Sequence, residues 1–260
     1  MEKKVLNIYV VLAGIFVASA LLAEIIGVKI FSLEATLGID PANISLLEGM
    51  VLDFNLTAGV ILWPVVFIST DVINEYFGKK GVRFISYLTA SLIIYMFVII
   101  IVITNLSPAQ FWIDVNSQKP DGSSFDVNYA FNTLFSQGLG IIIGSLVAFL
   151  VGQLLDVFIF QKLKKATGER MIWLRATGST LVAQFVDSFV VLIIAFYIWG
   201  NWSFGQVISV GIINYIYKFS VAILLTPAVY LAHYLIDRYL GEKLAKALKE
   251  KAMEDSKGFF

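Results

Sequence analysis

No cysteine occurs anywhere in the chain, and histidine occurs once, at His233. The first absence excludes disulfides, thiolate metal centres and thiol nucleophiles. The second excludes clusters of imidazole ligands. Charge is also scarce. Asp, Glu, Lys and Arg make up 15% of residues and sum to a formal net charge of zero. The overall charge therefore shows no basic footprint for nucleic acid. H-E-x-x-H, G-x-S-x-G, a P-loop and a Gly-rich dinucleotide turn are all missing. No catalytic residues, cofactor or metal are expected, and the chain does not read as an enzyme.

What is present is oil. Hydrophobic residues make up 58% of the chain, Phe alone counts 21 and Tyr 11, and the mean hydropathy is +0.83. Soluble domains run at about 45–50% apolar. A helix needs about 20 apolar residues to cross a bilayer. Six runs qualify: 5–30, 57–77, 84–104, 132–160, 174–199 and 204–235. They are continuous rather than alternating, which excludes a transmembrane barrel. The first run follows Lys3 and Lys4 and passes through VASA, like a signal peptide. It continues to Ile30, beyond the length of a signal core, and reads as a span.

Basic residues orient the bundle. Lys3 and Lys4, then Lys79, Lys80 and Arg83, then Lys162 to Arg175, then Arg238 to Lys257 fall on one side of the six crossings. The other side carries mostly acids. Both termini are expected in the cytoplasm. The expected fold is an all-α polytopic membrane protein, a bundle of six transmembrane helices over residues 1–240, with a charged cytoplasmic tail at 241–260. Residues 31–56 are partly apolar and could lie on the membrane or cap an outer vestibule. Residues 105–128 read as an exposed loop.

Against this background the stretch LVAQFVDSFVVLIIAF is anomalous, because Gln184 and Asp187 interrupt it. A charged group at the centre of a span costs about 2.5–3.5 kcal/mol on insertion scales, and such groups normally face a bundle interior or a cavity. The polar residues fall at helical spacing. Asp71 and Glu75 are i,i+4, as are Asn214 and Lys218; Gln153 and Asp156 are i,i+3, as are Gln184 and Asp187. Each pair makes one polar stripe. VGQLLDVF and VAQFVDSF share V-x-Q-x-x-D-x-F, a short internal repeat of the kind transporters carry. Asp187 and Lys218 lie at mid-depth, where a carboxylate and an ammonium find each other as a structural pair or around a ligand. Glu75 can instead snorkel beside Lys79, and Glu24 and Lys29 can do so at the outer end of the first span. His233 reads as a surface residue. Gly140, Gly144, Ala148 and Gly152 allow close helix approach. Pro64 and Pro227 predict kinks.

Mixed acids, amides and one ammonium do not form the like-charged ring of a channel. They suit a polar organic solute, including a flat heterocycle read by its edges. The runs FISTDVINEYFGKKGVR, GQLLDVFIFQKLK, WLRATGSTLVAQFVDSFV and INYIYKF resemble the queuosine-precursor transporter family, also called vitamin uptake transporters. The resemblance covers about residues 57–235. It implies a multi-pass protein of the bacterial inner membrane that imports a 7-deazaguanine, 7-cyano-7-deazaguanine or its 7-aminomethyl analogue. It assigns substrate binding to Gln153, Asp156, Gln184, Asp187, Tyr215 and Lys218. Asp71, Glu75 and Arg175 become gating or proton-coupling groups. The partners implied are a purine-like small molecule and the lipid bilayer, without nucleic acid, and a homodimer stays open. The competing expectation is the substrate-binding subunit of an ATP-driven vitamin importer, docked through small residues of the first span.

Overall fold

A computed structural model describes residues 2–27, 29–47, 50–136, 139–167 and 171–255; the side chains of 45–47, 50–52, 175, 176 and a few others fall outside that description. The first apolar run forms helix α1 (Glu2–Ile26). The segment after it carries short regular elements. It forms β1 (Ile30–Ser32), helix α2 (Leu33–Leu37), β2 (Ile44–Leu47), β3 (Met50–Leu52) and β4 (Asn55–Thr57). β1 pairs antiparallel with β4, Phe31 opposite Leu56, and β2 pairs with β3. Glu34 holds the first ladder. Its carboxylate accepts from Phe54 N at 2.6 Å and from Ser32 Oγ at 3.1 Å. The Phe54 amide is the main reason this carboxyl lies below its ordinary range.

A 3₁₀ turn (Ala58–Ile61) leads into α3 (Trp63–Thr104), 42 residues long. A straight helix of that length would span roughly 63 Å, twice the hydrocarbon core. It does not run straight. Gly78 adopts φ 65°, ψ −170°, outside helical values. A β-carbon placed on Gly81 would lie 3.5 Å from Ile73 Cγ2, so the second arm folds back along the first. Only glycine takes that backbone freely. The corner leaves the last carbonyls of the first arm without helical partners. Lys164 Nζ donates to Glu75 O at 2.8 Å, and Gln161 Nε2 reaches Asn74 O at 3.4 Å. A cation at a helix C-terminus also suits the helix dipole. Pro64 does not kink this helix. It occupies the first turn, where a missing N–H costs nothing.

The 105–128 stretch is exposed, as expected, with a short helix α4 (Gln110–Val115) and a bridge between Gln118 and Ser124. The fourth run then divides. α5 (Val127–Phe135) is separate, and the long helix α6 covers Leu139–Thr167. α7 (Ile172–Leu192) continues as a π-helical stretch, Ile193–Ile198. α8 (Phe204–Leu224) stops at Leu225, and α9 (Thr226–Leu240) begins with Pro227 in its first turn, which gives the expected break. α10 (Glu242–Asp255) is a helix, as the tail composition allows. Its Ala245 and Ala252 are buried.

Among the described residues five helices are long and apolar enough to cross a membrane: Lys3–Ile26, Trp63–Thr104, Ile141–Thr167, Ile172–Ile198 and Phe204–Leu224. The chain is an all-α polytopic membrane protein. Lipid supplies no hydrophobic drive between helices, so close packing must hold them. Phe16, Val66, Ile73, Ile85, Ile93, Phe149 and Val157 interlock α1, both arms of α3 and α6. Gly144 brings α6 against α7: a β-carbon there would sit 3.2 Å from Ala195 Cβ.

Candidate functional site

The polar stripes meet between α3, α6, α7 and α8. Two adjoining cavities share one wall, the side chains of Trp63 and Phe67 from the first arm of α3. These rings stack with centroids 6.0 Å apart and planes 19° apart. Helical spacing accounts for the pairing, since 63 and 67 are i,i+4.

The smaller cavity spans about 300 Å³, counting space open to solvent, and is lined by Gln153, Asp156, Gln184 and Asp187, with Gly152 and Phe149 among the apolar neighbours. Both V-x-Q-x-x-D-x-F segments therefore turn their polar residues to one place. Gln153, Asp156 and Gln184 are each at most 4% exposed. Thr70 Oγ1, which donates to Val66 O at 2.9 Å, lies 3.2 Å from the side-chain amide of Gln153. Asp156 faces the hydroxyls of Ser179 and Thr180, the latter at 3.5 Å. Gln184 Oε1 is buried with no hydrogen-bond partner among the described residues.

The larger cavity spans about 540 Å³, counting the space open to solvent at its mouth. Asp71, Thr177, Thr180, Tyr217 and Lys218 line it together with Pro64 and Val229. Lys218 Nζ donates to Asp187 Oδ2 at 2.5 Å, tying α8 to α7. Asp187 belongs to one cavity and Lys218 to the other, so the ion pair links them. Glu24 of α1 is buried rather than snorkelling outward; it bonds with Ser145 and lies within electrostatic reach of Asp187.

Other expected positions fall elsewhere. Tyr215 lines neither cavity. It meets Phe185 edge to face, centroids 5.3 Å apart. Glu75 is separated from Asp71 in role: it is 1% exposed and pairs with Lys164 at 3.2 Å beside the Gly78 corner. Arg175 lies on α7, and its side chain is outside the described residues. Lys29 is exposed. His233 is buried, not a surface residue; its ring stacks on Tyr76, whose hydroxyl donates to Asp237 Oδ1 at 2.7 Å. Asp237 also pairs with Lys249 of α10 at 2.9 Å.

Sequence reasoning missed Trp63, Phe67, Thr70, Thr180 and Tyr217. Their one signal was position: Trp63, Phe67, Thr70 and Asp71 recur at spacings that share a helix face. Among the described residues no group of His, Cys, Asp or Glu is arranged to hold a metal ion.

Residues 57–232 match the family described as "Putative vitamin uptake transporter". A Bacillus subtilis (strain 168) protein named "Probable queuosine precursor transporter" is 29% identical over 199 residues, covering 75% of this chain and 80% of that protein. A Haemophilus influenzae protein of the same name is 27% identical over 183 residues, 68% of each chain. The Escherichia coli (strain K12) "Queuosine precursor transporter" is 29% identical over 147 residues, 56% of this chain and 58% of its own. No solved structure matches the chain.

Proposed function

Because the chain belongs to the vitamin uptake transporter family, we propose that it imports a queuosine precursor, a 7-deazaguanine with a nitrile or aminomethyl substituent, across the membrane of its cell, the inner membrane in a bacterium. The relatives named for this transport support the substrate class. The observation that carries the site is the convergence of Gln153, Asp156, Gln184 and Asp187 on one cavity beside the Asp187–Lys218 pair. Polar groups placed so deep in an oily bundle are costly unless they meet a ligand, water or one another.

The chemistry suits a flat, neutral heterocycle rimmed by donors and acceptors. Carboxylates accept N–H groups, amides pair with a carbonyl and its neighbouring N–H, and the ammonium of Lys218 donates. Trp63 and Phe67 offer a face to stack against. In this reading Gln153, Asp156, Gln184, Asp187 and Lys218 bind the substrate. Asp71 lies on its route in the larger cavity. Glu75, with Lys164, sets the corner on which the first arm of α3 pivots, and Arg175 is assigned with these gating groups. Uptake of labelled 7-cyano-7-deazaguanine into cells that cannot make it tests the proposal. Uptake that depends on this chain is the expected result. Cells expressing the chain but accumulating no more label than cells without it would overturn it.

A further inference from the structure

Glu24, near the C-terminal end of α1, is a buried acid with no part in the substrate contacts above. It is 7% exposed. Its carboxyl bonds with Ser145 of α6 and lies within the field of Asp187 of α7, which pairs in turn with Lys218 of α8. The Ser145 hydroxyl has a single proton, and its oxygen lies 3.1 Å from Ile142 O, an atom that only accepts. With that proton spent on the carbonyl, Ser145 turns a lone pair to Glu24. The contact is a hydrogen bond when Glu24 carries a proton and a repulsion when it does not. Other charged groups of the surrounding elements are engaged elsewhere. The second arm of α3 carries none beyond Arg83, and the 3₁₀ turn Ala58–Ile61 has none. Asp71 and Glu75 of the first arm line the larger cavity and the Gly78 corner. His233 and Asp237 of α9 gather at Tyr76, and Lys29 is exposed. Asp187 is the charge that Glu24 answers to.

Resting on the transport reading proposed above, we infer that Glu24 binds the proton that drives uptake, and that the Asp187–Lys218 pair couples this proton to the substrate. The coupling runs through one ammonium. While Lys218 bonds to Asp187, its charge offsets the carboxylate that Glu24 faces. A substrate carbonyl that takes Lys218 as its donor draws the ammonium away from Asp187. The field at Glu24 then grows more negative, and Glu24 holds its proton more tightly. By linkage, a proton on Glu24 raises the affinity for substrate by the same factor. In the orientation that the basic residues give, Glu24 lies toward the outside and takes its proton there. The proton leaves to the cytoplasm once the substrate is released and Lys218 returns to Asp187. Proton and substrate enter together, and no other reactant is consumed. Acids inside a bundle commonly serve as such relays.

Calorimetric titration of the purified protein with 7-cyano-7-deazaguanine across pH, and transport of that compound in proteoliposomes, test this. Wild-type affinity should rise by about 10-fold from about pH 8 to about pH 6. Glu24→Gln imitates the protonated acid, so its affinity should equal the wild type's acid value and stay flat with pH. Ser145→Ala removes the oxygen that receives the Glu24 proton, and the rise in affinity should move to lower pH. In proteoliposomes an acidic exterior should drive wild-type accumulation above the external concentration. Glu24→Gln should lose that accumulation yet keep exchange of labelled for unlabelled compound, which also shows that the variant folds. Gradient-driven accumulation by Glu24→Gln, a pH dependence that survives in it, or an unmoved profile in Ser145→Ala would overturn the inference and leave the substrate class standing. Wild-type affinity that is flat with pH would do so with no variant needed. Neither binding nor exchange by the wild type would overturn the substrate class and this inference together.

Discussion

The Asp187–Lys218 pair is the sharpest place to test the energetics of this bundle. The carboxylate and ammonium are separated by 2.5 Å, with side chains 25% and 17% exposed respectively. They face cavities rather than packed protein, so some water reaches them and the fully buried estimate of 3–5 kcal/mol is too large. A charge-assisted hydrogen bond contributes about 1.5–3 kcal/mol. Asp187→Asn removes the anion but leaves a side-chain oxygen for the ammonium, so a cost of about 2 kcal/mol is expected. Lys218→Met leaves Asp187 within the field of Glu24 with no ammonium bonded to it, so it should cost more, about 3 kcal/mol. For a chain of this size each kcal/mol lowers the unfolding midpoint by about 2–4 °C, which predicts drops of about 4–8 °C and 6–12 °C. The double variant removes both charges and should fall short of the summed losses by about 1.5 kcal/mol or more. Thermal unfolding in detergent, read by intrinsic fluorescence, measures all three. Uptake separates structure from function: the double variant should lose less stability than the two single losses combined and still transport poorly. Strict additivity, or Asp187→Asn costing more than Lys218→Met, would refute the reasoning.

Gly78→Ala forces a β-carbon into a conformation reserved for glycine and to within 3.1 Å of Ala252 O; a loss of about 2–3 kcal/mol is expected. Faster proteolysis within 242–255 would report the displaced helix, and unchanged protection would count against the corner as described. Glu34 has a folded pKa held below its unfolded value by the Phe54 amide. Its contribution is therefore complete above the unfolded pKa, near 4.3, and fades as pH falls through the lower folded value. The protection factor of the Phe54 amide, which removes the pH dependence of intrinsic exchange, should fall over that acid window, and in Glu34→Gln it should be low and flat with pH. A flat profile in the wild type would show that the carboxylate does not hold the ladder. Gly144→Leu should separate α6 from α7, because even a methyl group there lies 3.2 Å from Ala195 Cβ. A loss of about 2 kcal/mol or more in thermal unfolding is expected, and a neutral result would place the two helices farther apart.

The membrane class and most helix bodies were legible in the sequence because bilayer thickness demands long apolar runs, and such runs survive any packing detail. Paired polar residues were legible for a related reason: an amide and an acid three residues apart in oil must share a side. The aromatic wall was not legible. Trp63 and Phe67 differ in no local way from aromatics that face lipid, and only the neighbouring helices decide which do. Tyr215 and Tyr217 flank the Lys218 face on opposite sides, so spacing could not choose between them, and the cavity lies on the Tyr217 side. Lys164 resembled one more cytoplasmic cation, yet it is 1% exposed. The demand it meets comes from carbonyls released at Gly78, far away in sequence. The ladders between 30 and 57 were missed because their strands are three or four residues long and give no readable alternation.

The docking of α10 at the Gly78 corner bears on how this protein is made. Val72 and Tyr76, in the first arm of α3, complete their packing against Leu240 and Ala245. Tyr76 lies beside Asp237 and beneath Lys249 Nζ, 4.9 Å from the ring centre. Those partners leave the ribosome after every apolar run has been synthesised. The earliest hairpin must therefore wait, inserted but with one flank bare, until translation reaches residues beyond 240. A chain stopped short of that point leaves Tyr76 without Lys249.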